Sequence, residues 1–177
     1  MHYYQKFAVI GLILGVIPVI LGIVGLTTLS WISITYDESL STPVTYDLFR
    51  RCRNGTNECD TVPSFRISQY LEITGYAVLA MGIILSVIFT GFVDKRSIHF
   101  LTPIVIILGV FSMIIGFIFY IESIFEMNPN SPILKVNFGY SLILMLSTGA
   151  LGCLLAVYFS FTAGYIQRHI LSNVNIY

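Results

Sequence analysis

Long runs of apolar residues alternate with short polar connections along the whole chain. Four such runs extend over about residues 7–29, 73–93, 100–121 and 138–165, and none contains an acidic or basic residue. Each offers roughly the 20 apolar residues that a helix needs to cross a hydrocarbon core. In lipid, backbone amides must find hydrogen-bond partners within their own segment, which favours helices. The pattern predicts an all-α membrane protein in which residues 1–177 form one four-span domain.

The first apolar run has a second interpretation, a secretory signal peptide that is removed from the mature protein. Its apolar stretch is longer than a signal peptide needs, and no small-x-small cleavage site followed by a polar segment appears after it. We therefore expect this run to be retained as the first span.

The composition is that of a protein mostly embedded in lipid. Apolar residues make up 56% of the chain, charged residues only 10%, and the mean hydropathy is +0.85. A soluble domain, by contrast, carries charge on about 25% of its residues. The nine basic and nine acidic residues balance, and no stripe of Lys or Arg marks a surface for nucleic acid. The composition predicts the lipid bilayer as a partner and excludes nucleic-acid binding.

Four spans place both termini on one side of the membrane and the longer loops, about residues 30–72 and 122–137, on the other. Basic residues near the spans do not decide the orientation, because the first long loop also contains four arginines. That loop contains Cys52 and Cys59, which pair only in an oxidising compartment, and the glycosylation sequon that begins at Asn54. We therefore predict cytosolic termini, longer loops on the lumenal or extracellular side, and a glycan on Asn54 unless a neighbouring disulfide blocks it.

The first outer loop has the composition of a small sheet. Residues 29–36 and 44–49 are rich in β-branched and aromatic residues and are separated by turn formers, which predicts two strands. A hairpin after them brings Cys52 opposite Cys59, a geometry that suits a disulfide. A two-residue Asn-Gly turn would instead set Cys52 opposite Asn57. Free thiols or a metal site are further alternatives, but the loop contains no other Cys or His. We predict the disulfide.

Side chains that would form a catalytic or metal site are scattered along the chain. Glu122 and Glu126 share one helical face at the outer end of the third span, where they either bind a cation or mark a solvated helix end. None of the four spans contains a charge that would indicate a transport path. We therefore predict no enzyme activity, no metal site and no cofactor. The three histidines lie apart, at His2, His99 and His169.

Small residues four positions apart occur in every span and predict where helices approach each other closely. Glycine is also common in membrane helices in general, so each pair has a second interpretation. The pairs are Gly11 and Gly15, Gly82 and Ser86, Ser112 and Gly116, and Gly152 and Ala156.

The outer-loop residues, framed by four spans, resemble the signature of the claudin superfamily. That signature is a Trp, then a Gly-Leu-Trp-x-x-Cys motif, then a second Cys. Asp stands here for the motif's Gly and Phe for its Trp, and the two cysteines are closer together than in typical claudins, so the chain resembles a divergent member. The matching positions are Trp31, Leu48, Phe49, Cys52, Cys59 and Arg66.

The resemblance implies a left-handed four-transmembrane-helix bundle with a small extracellular antiparallel β-sheet, held against the helix ends by Trp31, Leu48 and Phe49. It also implies cell–cell adhesion or paracellular-barrier organisation at cell junctions, with the chain itself or other claudin-like proteins as partners in cis or trans. The alternative is an auxiliary subunit that modulates an ion channel or receptor. The tail departs from claudin tails, because Asn175 stands where the scaffold-binding motif has Ser or Thr and no Cys follows Tyr165.

Overall fold

The structure is a computed structural model of the chain. It describes residues 2–28, 30–35, 44–53, 59–92, 96–126 and 135–174. The predicted glycosylation site at Asn54, and Asn57, which the alternative turn would set opposite Cys52, lie outside the described residues.

Four long helices cover almost all of the four apolar runs, which confirms the predicted helical class. The fourth helix begins at Tyr140 and not at Phe138 as predicted, because Phe138 belongs to a strand. Each helix includes a segment long and apolar enough to cross a membrane. The helices are longer than the apolar runs within them, because hydrogen bonding propagates along a helix whether or not the next residue is apolar. The helices are α1 His2–Thr27, α2 Arg66–Phe92, α3 Arg96–Glu126 and α4 Tyr140–Val174.

Exposed Ile, Leu, Val and Phe side chains cover the outside of all four helices. Only 28% to 39% of the residues in each apolar helical segment are buried within the chain. A soluble monomer rarely exposes a continuous apolar surface of this extent. The helical surface is therefore suited to apolar surroundings.

A five-stranded antiparallel sheet lies at one end of the helices, in the strand order β4-β3-β2-β1-β5. The predicted strands of the first loop are confirmed as β1 and β2. The fifth strand comes from the second loop, which the sequence showed only as a loop, because its pairing with β1 joins segments about 100 residues apart. A 3-10 turn, Pro63–Phe65, leads into α2. The strands are β1 Ile32–Thr35, β2 Val44–Tyr46, β3 Arg50–Arg53, β4 Cys59–Thr61 and β5 Lys135–Phe138.

Glycines let α2 and α3 meet backbone against backbone. A Cβ atom on residue 75 would lie 2.8 Å from the Met113 N and 2.9 Å from the Gly109 O, and one on residue 109 would lie 2.6 Å from the Leu79 N. The predicted Gly82 also lies at this interface, against Ile106. Such close approach provides van der Waals contact and brings polar backbone atoms together, which are the forces available between helices in lipid.

Candidate functional site

Trp31 joins the sheet to the helices. The residue lies between α1 and β1, immediately before Ile32, and is fully buried. Its Nε1–H donates to the Gly25 carbonyl at 3.1 Å, and its ring meets that of Tyr120 of α3 edge-on, with 5.2 Å between centroids. Its backbone N–H donates to Tyr46 O at 3.2 Å, and its carbonyl accepts from Gly139 N at 2.7 Å. Trp31 therefore contacts β2, helix α3 and Gly139, the residue that follows β5. Its indole N–H is also satisfied, as a buried Trp requires.

Three further aromatic rings extend this junction across the underside of the sheet. The ring centroids of Phe65 and Tyr120 are 5.0 Å apart, and those of Tyr46 and Phe65 are 6.3 Å apart with the rings 67° from parallel. All three side chains are fully buried. Tilted and edge-on pairs of this kind add stability beyond the area that they bury. The cluster therefore holds β2, the 3-10 turn and the outer end of α3 as one unit.

Asp47 forms the turn between β2 and β3. Its Oδ1 accepts from the backbone N–H groups of both Phe49 and Arg50, and its own N–H donates to Arg50 O at 2.9 Å. A carboxylate that bonds the backbone two residues ahead is a turn-forming arrangement. The carboxylate of Asp47 therefore forms the turn between the two strands.

The two apolar motif residues after Asp47 point in opposite directions. Leu48 is fully buried, and its carbonyl accepts from Gln69 Nε2 of α2 at 2.9 Å. Phe49 is 41% exposed, so it does not share the buried position expected for it from the motif. Of the apolar residues expected to hold the sheet, Trp31 and Leu48 are the buried ones.

The predicted Cys52–Cys59 disulfide is confirmed. The two residues are direct partners in the β3–β4 register, with their Cα atoms 4.2 Å apart. All three residues of β4 are exposed, so the strand has little core of its own. The covalent link therefore reinforces the backbone pairing of β4 with β3. Arg66, the last motif position, begins α2 and is exposed.

Strand β5 extends the apolar face of the sheet beyond the helices. Val136 lies opposite Ile34, and Phe138 lies opposite Ile32. Directly opposed residues share a face, yet both isoleucines are buried whereas Val136 is 38% and Phe138 61% exposed. These exposed side chains, together with exposed Phe125 of α3 and the two buried isoleucines, line a groove of about 180 Å³. We refer to Phe125, Val136 and Phe138 as the edge patch.

The prediction that the spans contain no charge overlooked Glu72. It was assigned to the end of the outer loop, but α2 begins at Arg66 and Glu72 lies within it. The side chain is 2% exposed, and its Oε2 has no hydrogen-bond partner among the described residues. Helical spacing could have indicated this, because Ser68, Glu72, Gly75 and Leu79 recur at intervals of three and four along one face.

Groups that could bind a metal are not assembled in the described part of the chain. No cluster of three or more His, Cys, Asp and Glu residues occurs there. Glu122 and Glu126 are both exposed at the outer end of α3. Cys153, the third cysteine of the sequence, is exposed on α4.

No protein-family model matches the chain, and no curated protein sequence matches it.

Proposed function

We propose that this chain is a multi-pass protein of the plasma membrane, with both termini in the cytosol, that organises cell–cell adhesion or junctions by contact through its outer sheet. It is further proposed to be a divergent member of the claudin superfamily. Support comes from the apolar exterior of the four helices and from the positions of Trp31, Leu48 and the disulfide within one sheet.

The observation that carries the proposal is an apolar strand edge on a rigid support. β5 is an outer strand of the sheet, so among the described residues one side of its backbone has no strand partner. Strand edges of this kind pair with further strands unless they are covered. The edge patch adds apolar side chains to that backbone edge. Because the aromatic junction holds the sheet against the helices, a partner would meet this edge in one fixed orientation.

The position of the edge patch favours a partner in the same membrane. The patch lies where α3 ends at Glu126 and α4 begins at Tyr140, which is next to the helix ends. A second copy of the chain, or another protein of the same kind, can therefore approach sideways and bind edge to edge. Assemblies of this kind would give contacting cells a many-copy array of outer sheets.

The same position keeps the auxiliary-subunit function as a second candidate, because a channel or receptor subunit in the same membrane would reach the edge patch equally well. The two functions differ in what remains bound after gentle extraction. Stoichiometric recovery of a channel or receptor subunit supports the auxiliary function and contradicts adhesion. Recovery of the chain with itself supports adhesion.

Cells that express a tagged chain test the proposal directly. We expect the wild type to concentrate at borders between two expressing cells and not at borders with non-expressing cells. The double substitution V136T/F138T should abolish this concentration while leaving surface delivery intact, because Thr preserves strand propensity and the apolar side chains alone are lost. Thr61→Ser on the opposite outer strand, β4, is the matched control. Undiminished clustering of the double variant would contradict the role of the edge patch.

A further inference from the structure

An apolar cavity of about 260 Å³ lies between α3 and α4, directly beneath the sheet. Trp31 closes the end nearest the sheet, Met113 and Met145 line opposite walls, and Cys153 lies at the far end. Several lining side chains, including Ile114 and Leu146, are exposed on the outside of the helices. The cavity is therefore open to whatever surrounds the helical surface.

Glu72 of α2 lines this cavity, although the walls belong to α3 and α4. Gly116 of α3 makes the room for it, since a Cβ atom on residue 116 would lie 3.1 Å from both the Glu72 Cγ and the Glu72 N. Close by, the Ser112 hydroxyl donates to Leu71 O at 3.1 Å and holds the two helices together. The carboxyl group is thus built into the helix contact.

The Glu72 Oε2 is a buried acceptor with no described partner. Leaving such a group unsatisfied is unfavourable, and native structures contain few of them. The other lining group with a strong donor, the Trp31 indole, already donates to Gly25 O. An ordered water is a poor hydrogen-bond partner for the Glu72 Oε2 here, because a buried water needs two to four polar partners and the lining offers one carboxyl.

We propose that this cavity binds a lipid alcohol, a molecule with one hydroxyl group on an apolar body, whose hydroxyl donates to the Glu72 carboxyl. The inference depends on the proposed function to the extent that the helices span a bilayer, which supplies the ligand. A hydroxyl group supplies one donor, which matches the one unpartnered acceptor, the Glu72 Oε2. A lipid amine is the poorer fit, because an ammonium has three donors and two would remain unsatisfied in the apolar cavity.

The shape of the cavity fits the orientation of such a lipid. Glu72 lies six residues into α2, about 9 Å from the sheet end of that helix at 1.5 Å per residue. On α4 the lining extends from Leu142 to Cys153, about 16 Å along the helix. The polar group is therefore near the outer surface of the membrane and the apolar part reaches toward its centre, as in a lipid alcohol of the outer leaflet.

Photo-crosslinking tests the proposal on the purified full-length chain in phosphatidylcholine vesicles. The probe is a sterol with a photoreactive diazirine and an intact hydroxyl. We expect it to label α3 and α4 at the cavity. Unlabelled sterol should compete at least about fivefold better than its 3-keto analogue, the effect of one lost hydrogen bond. Equal competition by the ketone would overturn the proposal.

A diacylglycerol competitor distinguishes the two sources of the hydroxyl. Competition at a lower concentration of the sterol identifies a sterol, and competition at a lower concentration of diacylglycerol identifies a diacylglycerol. Competition by neither overturns the proposal.

Substitutions test the contributions of the Glu72 carboxyl and of the cavity volume to labelling separately. Glu72→Leu should reduce labelling about tenfold, whereas Glu72→Gln, which retains a carbonyl acceptor, should stay within about threefold of wild type. Gly149→Leu should abolish labelling by filling the cavity, since a Cβ atom there meets only the Val110 Cγ1 at 3.8 Å. Gly164→Leu, on the same helix with nothing within 4 Å, is the matched control. Wild-type labelling of Gly149→Leu overturns the proposal even if Glu72→Leu fails to fold.

Failure of this proposal is distinguishable from failure of the proposed function. Labelling is measured on the isolated chain and needs no cellular partner, so lost clustering at cell borders leaves it unchanged. Conversely, a chain that clusters normally but shows no hydroxyl-dependent labelling contradicts the lipid site alone. A chain that alkaline carbonate extracts from membranes contradicts the membrane-spanning premise of both.

Discussion

Gly109→Ala tests the α2–α3 contact with the smallest possible change, one added methyl group. The new Cβ would lie 2.6 Å from the Leu79 N, 2.8 Å from the Gly75 O and 2.9 Å from the Leu79 Cα. All three are backbone atoms, so no side chain can rotate away. To restore ordinary contact, which begins near 3.4 Å, the helices must separate locally by about 0.8 Å.

The magnitude follows from two opposing contributions. Overpacking costs roughly 1–3 kcal/mol, and a clash between two backbones belongs at the upper end of that range. Ala is a better helix former than Gly by about 1 kcal/mol. The expected net loss of stability is therefore about 2 kcal/mol, which for a chain of this size lowers the Tm by roughly 4–8 °C.

Thermal unfolding of the purified chain in mild detergent measures the effect. Gly164→Ala is the matched control, because it adds the same methyl group to a glycine with nothing within 4 Å, and its Tm should stay at the wild-type value or rise by about 2–4 °C. If Gly109→Ala has the same Tm as Gly164→Ala, the two helix backbones do not meet at this glycine and the reasoning is refuted.

Three further expectations concern the sheet and its junction. Cys52→Ser should trap the chain inside the cell, because β4 buries no side chain and is then held only by its short pairing with β3. Cys153→Ser should reach the surface, and normal surface delivery of Cys52→Ser contradicts a structural role for the disulfide. Trp31→Phe removes the hydrogen bond to Gly25 O and should lower the free energy of unfolding by about 1 kcal/mol or more, measured as a lower Tm. Asp47→Ala leaves two turn N–H groups without their acceptor and should destabilise the chain by about 1–3 kcal/mol. Asp47→Asn, which keeps a side-chain oxygen, should lose less stability. An equal Tm for the two variants argues against the carboxylate turn.

Tyr120 shows how the outer sheet and the helices depend on each other. Its ring contacts both Trp31 and Phe65, and its hydroxyl donates to Asp47 O at 3.4 Å. A single residue of α3 thus contacts Trp31 immediately before β1, the 3-10 turn and the β2–β3 turn. This shared contact is the physical reason that the sheet can present its edge patch in a fixed orientation.

The sequence by itself determined the features that depend on neighbouring residues. Apolar run length predicted four helices, because each helix satisfies its own backbone and needs only enough apolar residues to cover it. The register of Cys52 opposite Cys59 was likewise predictable, because a hairpin is closed by residues a few positions apart. Small residues at four-residue spacing indicated Gly82 and Gly116 as contact positions.

Only the tertiary structure decided which distant segments meet. β5 is four residues long and becomes a strand through pairing with β1, about 100 residues away, so no local pattern marks it. Gly75 and Gly109 meet because of the way α2 and α3 cross, which is set by the packing of whole helix surfaces. Glu72 appeared to belong to the outer loop because hydropathy locates the apolar part of a helix and not its first residue. Its burial beside an apolar cavity results from three helices packing together, and a one-dimensional pattern does not contain that information.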